Sequence, residues 1–386
     1  MKLYVKLFSS PGLVRVVIAQ LLARFPYGMM VLALVMHVQH IFHSYAIAGL
    51  AMGAETIMSA ISGPLLGRWV GRFGIYKIFV PGTILSILIF FLIAYTPFAA
   101  WWVILLSGII GFVQPPTQSV ARTVYPRIIK PELRTSIFAL DATSQELIWI
   151  IGPVLATFAA AQISTEFAMV LMAFIQAVGM VLFLTDKSVR ETKIEKTEKR
   201  IGHVMKSRRI LILIILGSVL VASFAGMEIP TVALVDKSVS GVVVAFFSIG
   251  SILGGIFLGH RSHSKWTPAL FFALAILGYT AALFAPSDPI WLSTCWIVGG
   301  IAVAPLLGTI NAMISVSTSD ADALEAYGWL GTGQLLGYAG AAVVVGFLID
   351  TVSAATGLWV AIGFGLVGLC VSLVGVETLP KLPSAH

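Results

Sequence analysis

The chain has 386 residues, of which 58% are hydrophobic and only 11% charged, and its formal net charge is +7. A soluble domain is closer to half apolar and a quarter charged, so this composition excludes a soluble enzyme, a nucleic-acid-binding protein and a secreted disulfide scaffold. The basic residues stand in short breaks between apolar runs, where they set the orientation of a membrane protein.

Long apolar segments follow one another along the chain, and each is about as long as a helix that crosses a bilayer. They predict transmembrane helices at 13–37, 45–66, 78–96, 101–123, 136–159, 164–185, 210–234, 240–259, 267–285, 289–315, 326–349 and 354–376. The sequence therefore predicts an all-α membrane protein with twelve transmembrane helices.

Lysine and arginine are concentrated in alternate breaks between these helices. One set of breaks contains Arg68, Arg72, Lys77, Arg122, Arg127, Lys130, Arg134 and the cluster from Lys187 to Arg209, whereas the other set contains only Lys237. Basic loops stay in the cytoplasm. We therefore predict a multi-pass protein of the cell inner membrane with both termini in the cytoplasm.

A polar stretch at 186–209 lies almost at the middle of the chain and predicts a cytoplasmic linker between two six-helix bundles, at 1–185 and 210–386. Two glycine patterns support a duplication. Gly63-x-x-x-Gly67 ends the second helix and Gly255-x-x-x-Gly259 ends the eighth. Glycine also stands five residues before proline in both the fourth and the tenth helix, and such repeats are common in transporters.

Twelve helices in two pseudo-symmetric halves, with a central linker and a basic turn after helix two, resemble the major facilitator superfamily along essentially the whole chain. The signature loop of that family reads Gly-x-x-x-Asp-Arg-x-Gly-Arg-Arg. Here Gly67, Arg72, Gly74 and Lys77 fit the pattern, while Gly71 stands at the acidic position. The resemblance implies a secondary transporter that works by alternating access.

In that family the signature loop lies close to the start of helix eleven. Here that start is preceded by Asp320, Asp322 and Glu325. Because an acidic patch on the basic side of the membrane needs cations, we expect it to pair with Arg68, Arg72 or Arg122 across the two halves. The predicted cytoplasmic gate comprises Gly67, Arg68, Arg72, Gly74, Lys77, Arg122, Asp320, Asp322 and Glu325.

The stretch from Gly111 to Pro153 is also similar to small bacterial efflux-type members of the family. Gly152-Pro153 is the part of the helix-five antiporter motif that is present. This resemblance implies export.

Charged residues within apolar helices are costly and therefore informative, at about 2.5–3.5 kcal/mol each on insertion scales. Arg24 lies near the middle of helix one and Glu55 near the middle of helix two. Since consecutive helices are antiparallel, their midpoints can meet. We expect a buried ion pair, which either lines a polar cavity together with Tyr27 or only fixes the packing of the two helices.

Helix five contains Asp141, Gln145 and Glu146. Glu146 lies near mid-helix with no basic residue near it in sequence, so we predict that it accepts a proton during transport. Asp141 is a second proton-coupling candidate, although pairing with Arg134 or Arg127 is the alternative. Gln145 shares a helix face with Asp141 and is a candidate substrate contact.

The second half offers further candidates. Glu228 on helix seven precedes Pro230 and predicts an outer contact for a proton or substrate. Gln334 and Tyr338 share a stripe on helix eleven, which suits a partly apolar substrate, and interhelical hydrogen bonding is the alternative. Asn311 and Trp149 are additional substrate candidates, and core packing is the alternative for Trp149.

His37, His40 and His43 cluster in the predicted first outer loop, at a spacing that could hold a metal or sense external pH. Short loop histidines are common, and we predict no metal site.

These observations together predict a non-enzymatic transporter, acting as a monomer in the lipid bilayer, that needs no cofactor and uses the proton gradient. We expect it to export a small amphiphilic or drug-like molecule in exchange for protons, with Glu55 and Glu146 as carriers and Arg24 as their partner or an anion-binding group. One alternative is a proton-coupled importer of a sugar, nucleoside or carboxylate. A second is a membrane protein without active transport, such as a pore, scramblase or sensor.

Overall fold

A computed structural model describes residues 7, 10, 12–96, 99–192, 194, 201–261 and 264–382. Positions 193 and 195–200 of the predicted linker lie outside the described residues, as do the side chains of Pro153 and Lys237. The first half forms α1 (Leu13–Phe42), α2 (Tyr45–Phe73), α3 (Ile75–Tyr95), α4 (Ala100–Val113), α5 (Thr117–Ile128), α6 (Arg134–Gln162), α7 (Thr165–Leu184) and the short α8 (Lys187–Glu191).

The second half repeats this series after the linker. It forms α9 (Arg208–Leu234), α10 (Lys237–Leu258), α11 (Thr267–Ala282), α12 (Pro289–Gly300), α13 (Val303–Ser317), α14 (Asp320–Thr351) and α15 (Leu358–Gly375). In the described part of the chain, ten helical segments are long and apolar enough to cross a membrane, and α11 is a shorter apolar helix. Together with the 29-residue α2, they account for the twelve predicted crossings and confirm the fold class.

Two predicted helices are each interrupted. The helix expected at 101–123 breaks between Val113 and Thr117, where Pro115 and Pro116 stand. Proline lacks the amide hydrogen and disfavours a helical conformation in the residue before it, so α4 stops and α5 starts afresh. The helix expected at 289–315 is also interrupted, between Gly300 at the end of α12 and Val303 at the start of α13. The prediction of two continuous helices is therefore wrong.

The two halves repeat one packing pattern. In the first half α1 packs on α6 and α7, α2 packs on α4, and α3 packs on α7. In the second half α9 packs on α14 and α15, α10 packs on α12, and α11 packs on α15. Each pair in one half has its counterpart in the other, as two pseudo-symmetric six-helix bundles require.

The halves meet through α2 against α14 and through α6 against α10 and α13. At the end of the bundle where Arg68 and Arg127 lie, here called the basic end, α2 closely approaches α14. A Cβ built at Gly67 would lie 2.9 Å from the carbonyl oxygen of Leu324, and Gly63 faces Gly328 in the same manner. These glycines allow the two backbones to come together as small residues do in membrane helix pairs.

The opposite end of the interface is open in the described part of the chain. Thr332 Oγ1 still donates to the carbonyl oxygen of Ala60 at 2.6 Å. Two turns further along the same α2 stripe, no atom lies within 4 Å of the Cβ position of Gly53. The first helices of the two halves, α1 and α9, form no packed interface there. The close contacts between α2 and α14 are therefore concentrated at the basic end, and we call the space between the halves towards the opposite end the central cleft.

Candidate functional site

A buried network of charges lies inside the first half and is centred on Asp141 of α6, whose side chain is fully buried. Arg122 Nε of α5 donates to Asp141 Oδ2 at 3.0 Å. The hydroxyl of Tyr125 donates to Oδ1 at 3.0 Å, and Gln20 Nε2 of α1 donates to the same oxygen at 3.3 Å. Arg24 Nη1 in turn donates to Gln20 Oε1 at 3.0 Å. A buried carboxylate held in this way is both paired and hydrogen-bonded, as its desolvation requires.

This network contradicts two expectations. Arg24 forms no ion pair with Glu55, because Gln20, one turn earlier on α1, receives its guanidinium hydrogen bond instead. Asp141 pairs with Arg122 rather than with Arg127 or Arg134, because α5 brings Arg122 alongside α6. Tyr125 was not predicted, and its helical spacing of three from Arg122 is the signal that could have identified it.

Glu55 has no cation within 4 Å of its carboxylate among the described residues, and its side chain is buried. Its Oε2 accepts a hydrogen bond from the Thr56 hydroxyl at 3.3 Å. Tyr27 of α1 lies close enough to interact electrostatically with both Glu55 and Arg24. Behind Glu55, the missing side chain of Gly111 lets α4 pack directly on the α2 backbone. The carboxyl group of Glu55 thus belongs to a closely packed part of α2 and has no fixed counter-charge among the described residues.

Glu146 connects the two halves. Ser251 Oγ of α10 donates to Glu146 Oε1 at 2.8 Å. Ser251 is fully buried, whereas Glu146 is only partly buried. One turn towards the basic end, Thr143 packs against Gly255, so the contact lies just above the closed part of the interface. Sequence reasoning missed Ser251, although Ser248 and Ser251 are a polar pair at a spacing of three in an otherwise apolar helix.

Glu228 lies in the second half, where it is partly buried. The hydroxyl of Tyr338 on α14 donates to its Oε2 at 2.9 Å. Gln334, one turn earlier on α14, lies beside Gly217 of α9 and is partly buried. The structure thus joins Glu228 to Tyr338, whereas Gln334 contacts α9 about three turns away from Glu228.

The remaining predicted contacts differ in their surroundings. Gln145 Oε1 accepts from Gln118 Nε2 at 2.7 Å, so it joins α5 to α6. Asn311 is fully buried and its Nδ2 donates to the carbonyl oxygen of Leu307 at 2.7 Å, so in this conformation it does not line the cleft. Trp149 is 47% exposed and is therefore not a core residue.

The acidic patch at the start of α14 is paired across the halves as expected, but only partly with the expected cations. Arg68 Nη1 donates to Glu325 Oε2 at 3.3 Å. Arg127 Nη2 donates to Asp320 Oδ2 at 2.8 Å, and His203 of the linker lies 3.2 Å from Asp322. Arg127 and His203 were not predicted as gate residues.

Arg72 and Arg122 do not pair with this patch. Arg72 is exposed and its guanidinium lies over the ring of Phe73, 5.2 Å from its centroid. Arg122 is held by Asp141, and its guanidinium lies over the ring of Tyr327 on α14, 5.9 Å from its centroid. Lys77 is exposed. Gly74 has a positive φ of 90° where the chain turns from α2 into α3, and this conformation favours glycine.

The histidine cluster is not a loop. α1 continues to Phe42, so His37 and His40 are helical. His37 is fully buried, with Nδ1 at 3.0 Å from Thr165 Oγ1 and Nε2 at 2.9 Å from the carbonyl oxygen of Ile93. It therefore joins α1 to α3 and α7, and no group of three metal-ligating side chains occurs among the described residues.

Comparisons with known proteins agree with this architecture. The family model of the Major Facilitator Superfamily matches residues 16–278. Three solved structures resemble the chain over nearly its whole length. The proton:xylose symporter XylE bound to 6-bromo-6-deoxy-D-glucose superimposes with a TM-score of 0.75 at 12% identity, over 95% of this chain and 96% of that one.

A bacterial homologue of the iron transporter ferroportin in an outward-facing state gives a TM-score of 0.76 at 14% identity, over 95% of this chain and 99% of that one. The human organic anion transporter MFSD10 (TETRAN) gives 0.74 at 13% identity, over 93% and 98%. No curated protein sequence is a significant match. At such identities the likeness shows the fold alone.

Proposed function

We propose that this chain, which belongs to the major facilitator superfamily, is a secondary transporter that exports a small amphiphilic molecule in exchange for protons. In this proposal the basic end faces the cytoplasm of a cell whose inner membrane contains the protein. The closed basic end and the open opposite end then correspond to an outward-open conformation. Substrate is released from this conformation, and protons enter it.

One observation supports proton coupling above all, namely the hydrogen bond between Glu146 of the first half and Ser251 of the second. An ionised carboxylate accepts this bond while the interface is closed at the basic end. When the transporter changes to the conformation that is open at the basic end, α6 and α10 separate at this contact. The carboxylate then loses its hydrogen-bond donor in a poorly hydrated environment, which is costly. A bound proton removes that charge, so the protonated carrier changes conformation more readily.

Glu55 serves as a second carrier because it too is buried without a cation. Glu228, which accepts a hydrogen bond from Tyr338, is a further acidic contact in the second half. The substrate would lie between Tyr27, Arg24, Gln145 and Trp149 on one wall and Gln334 and Tyr338 on the other. Aromatic rings and amide groups suit a molecule that is partly apolar. A proton that enters down 100 mV supplies about 2.3 kcal/mol from the potential alone.

The experiment begins with a thermal-shift screen of amphiphilic compounds on purified protein. The best hit is then tested in sealed vesicles of both orientations under an imposed pH gradient. We expect uphill accumulation in inverted vesicles when their interior is acidic. Accumulation only in right-side-out vesicles would show an importer, and flux without uphill accumulation in either orientation would show a passive pore or scramblase.

A further inference from the structure

The linker residues 201–207, here called the strap, are built into the second half at the basic end. His203–Lys206 form one 3-10 turn that packs on α9 and α14. The side chain of Val204 is buried in the hydrophobic core. The described part of the strap is therefore anchored by packing and contributes to the surface that faces the first half.

Glu325 is shared between the strap and the first half, and its side chain is only 1% exposed. The backbone N–H of Gly202 donates to its Oε1 at 2.5 Å, and Trp329 Nε1 donates to the same oxygen at 3.3 Å. Its other oxygen, Oε2, accepts from Arg68 at 3.3 Å. One oxygen thus faces the strap while the second faces the opposite half.

His203 lies between two acids of α14. Its Nε2 is 3.2 Å from Asp322 Oδ1, and its Nδ1 is 3.8 Å from Glu325 Oε2. Arg68 of α2 is the cation that faces this group from the first half. The imidazole therefore separates two carboxylates that would otherwise repel each other beside the interface.

The backbone of the strap is shaped for this contact. Gly202 has a φ of 79°, a left-handed conformation that glycine adopts without strain. This turn directs its N–H towards Glu325. On the first half, Gly71 occupies the acidic position of the family's signature loop, so α2 presents Arg68 but no carboxylate at that position.

We propose that the strap is a working part of the gate and that His203 and Gly202 position Glu325 towards Arg68, which holds the basic end closed. Because Oε1 is fixed by the strap, Oε2 keeps one direction and meets Arg68 whenever the halves close. The inference deepens the proposed function and rests on its alternating access. His203 is a positioning residue, since it acts on the gate through Glu325.

The test measures how often the basic end opens. Spin labels are placed at Lys130→Cys and Lys381→Cys, two exposed sites on opposite halves, in protein whose Cys295 and Cys370 are replaced by alanine. Distances between the labels are measured by pulsed electron paramagnetic resonance in nanodiscs. We expect His203→Ala to raise the long-distance population about three-fold, the factor that loss of one interhelical hydrogen bond gives in a membrane protein.

Three further variants complete the design. His203→Lys places an ammonium donor beside Asp322 and Glu325, so we expect it to restore the parent distribution. Gly202→Pro removes the N–H that Glu325 accepts and cannot adopt the positive φ of this turn, so it releases Glu325 from the strap and should open the end as His203→Ala does. It keeps the test valid if His203→Ala folds poorly. Lys206→Ala, an exposed position on the same turn, should leave the distribution unchanged.

Arg68→Ala distinguishes a failure of the role proposed for the strap from a failure of alternating access. If Arg68→Ala populates the long distance while His203→Ala and Gly202→Pro match the parent, the role of the strap is overturned and alternating access stands. If none of the three variants populates the long distance, the role of the strap is overturned and alternating access is contradicted as well.

Discussion

Asp141 and Glu146 are five residues apart on α6, yet the structure treats them very differently. Asp141 is fully buried and receives hydrogen bonds from Arg122, Tyr125 and Gln20, all within its own half. Glu146 is only partly buried, and the partner that its carboxylate finds is Ser251 of the other half. A carboxylate that is satisfied within one rigid half stabilises that half, whereas one that is satisfied across the interface has to change partners whenever the interface opens.

The largest effect should come from breaking the fixed network. Arg122→Leu leaves Asp141 buried without its cation and should lower the free energy of unfolding by about 3–5 kcal/mol. Denaturant unfolding in detergent measures this loss. The matched double variant Arg122→Leu with Asp141→Leu removes both charges and should recover most of it. A single variant as stable as the parent would show that Arg122 and Asp141 do not form a structural pair.

A second contrast separates packing within a half from packing between halves. A Cβ at Gly28 would lie 2.1 Å from the carbonyl oxygen of Ile148, inside the first half. Gly28→Ala should therefore destabilise the protein by about 1–3 kcal/mol, as overpacking of a close contact does. At Gly63 the nearest atom across the halves is at an ordinary 3.4 Å. Gly63→Ala is the control and should change the thermal unfolding midpoint little, so equal losses in the two variants would contradict the contrast.

The smallest effect on stability is expected at the cross-half contact itself. Ser251→Ala removes one interhelical hydrogen bond, which is worth about 0.6 kcal/mol in membrane proteins. We expect almost no change in unfolding but a shift in the pH dependence of flux, because the carboxyl group of Glu146 loses its fixed donor. Ser223→Ala, which removes the hydrogen bond between Ser223 and Tyr279 within the second half, is the matched control. An identical pH profile in the parent and in Ser251→Ala would argue against Glu146 as the coupling group.

The sequence predicted most of the fold because the bilayer dictates it. Apolar runs of about twenty residues identified the crossings, and the positions of arginine identified the basic end. It also predicted the pairing of Glu325 with Arg68, since an acid near the membrane must find a cation. It missed the two helix breaks, although Pro115 and Pro116 were visible, because apolar composition alone does not distinguish one helix from two.

The errors at the site have a common origin. Arg24 was paired with Glu55 from mid-helix positions, but helix rotation decides which side chains meet, and α1 turns the face that contains Gln20 and Arg24 towards Asp141 of α6. The same limit hid Ser251, which lies in a different half from Glu146. The contacts of His203 could not be predicted either, because the composition of a linker does not show where it packs against the helices.

In the proposed mechanism, the proton on Glu146 drives the change from the outward-open conformation to the one that is open at the basic end. The most direct measurement compares flux driven by a pH gradient with substrate counterflow at equal pH in proteoliposomes containing Glu146→Gln. The amide retains the bond to Ser251 but holds no titratable proton. We predict that uphill, pH-driven flux is abolished while counterflow continues. Uphill flux at the parent rate in Glu146→Gln would contradict the account.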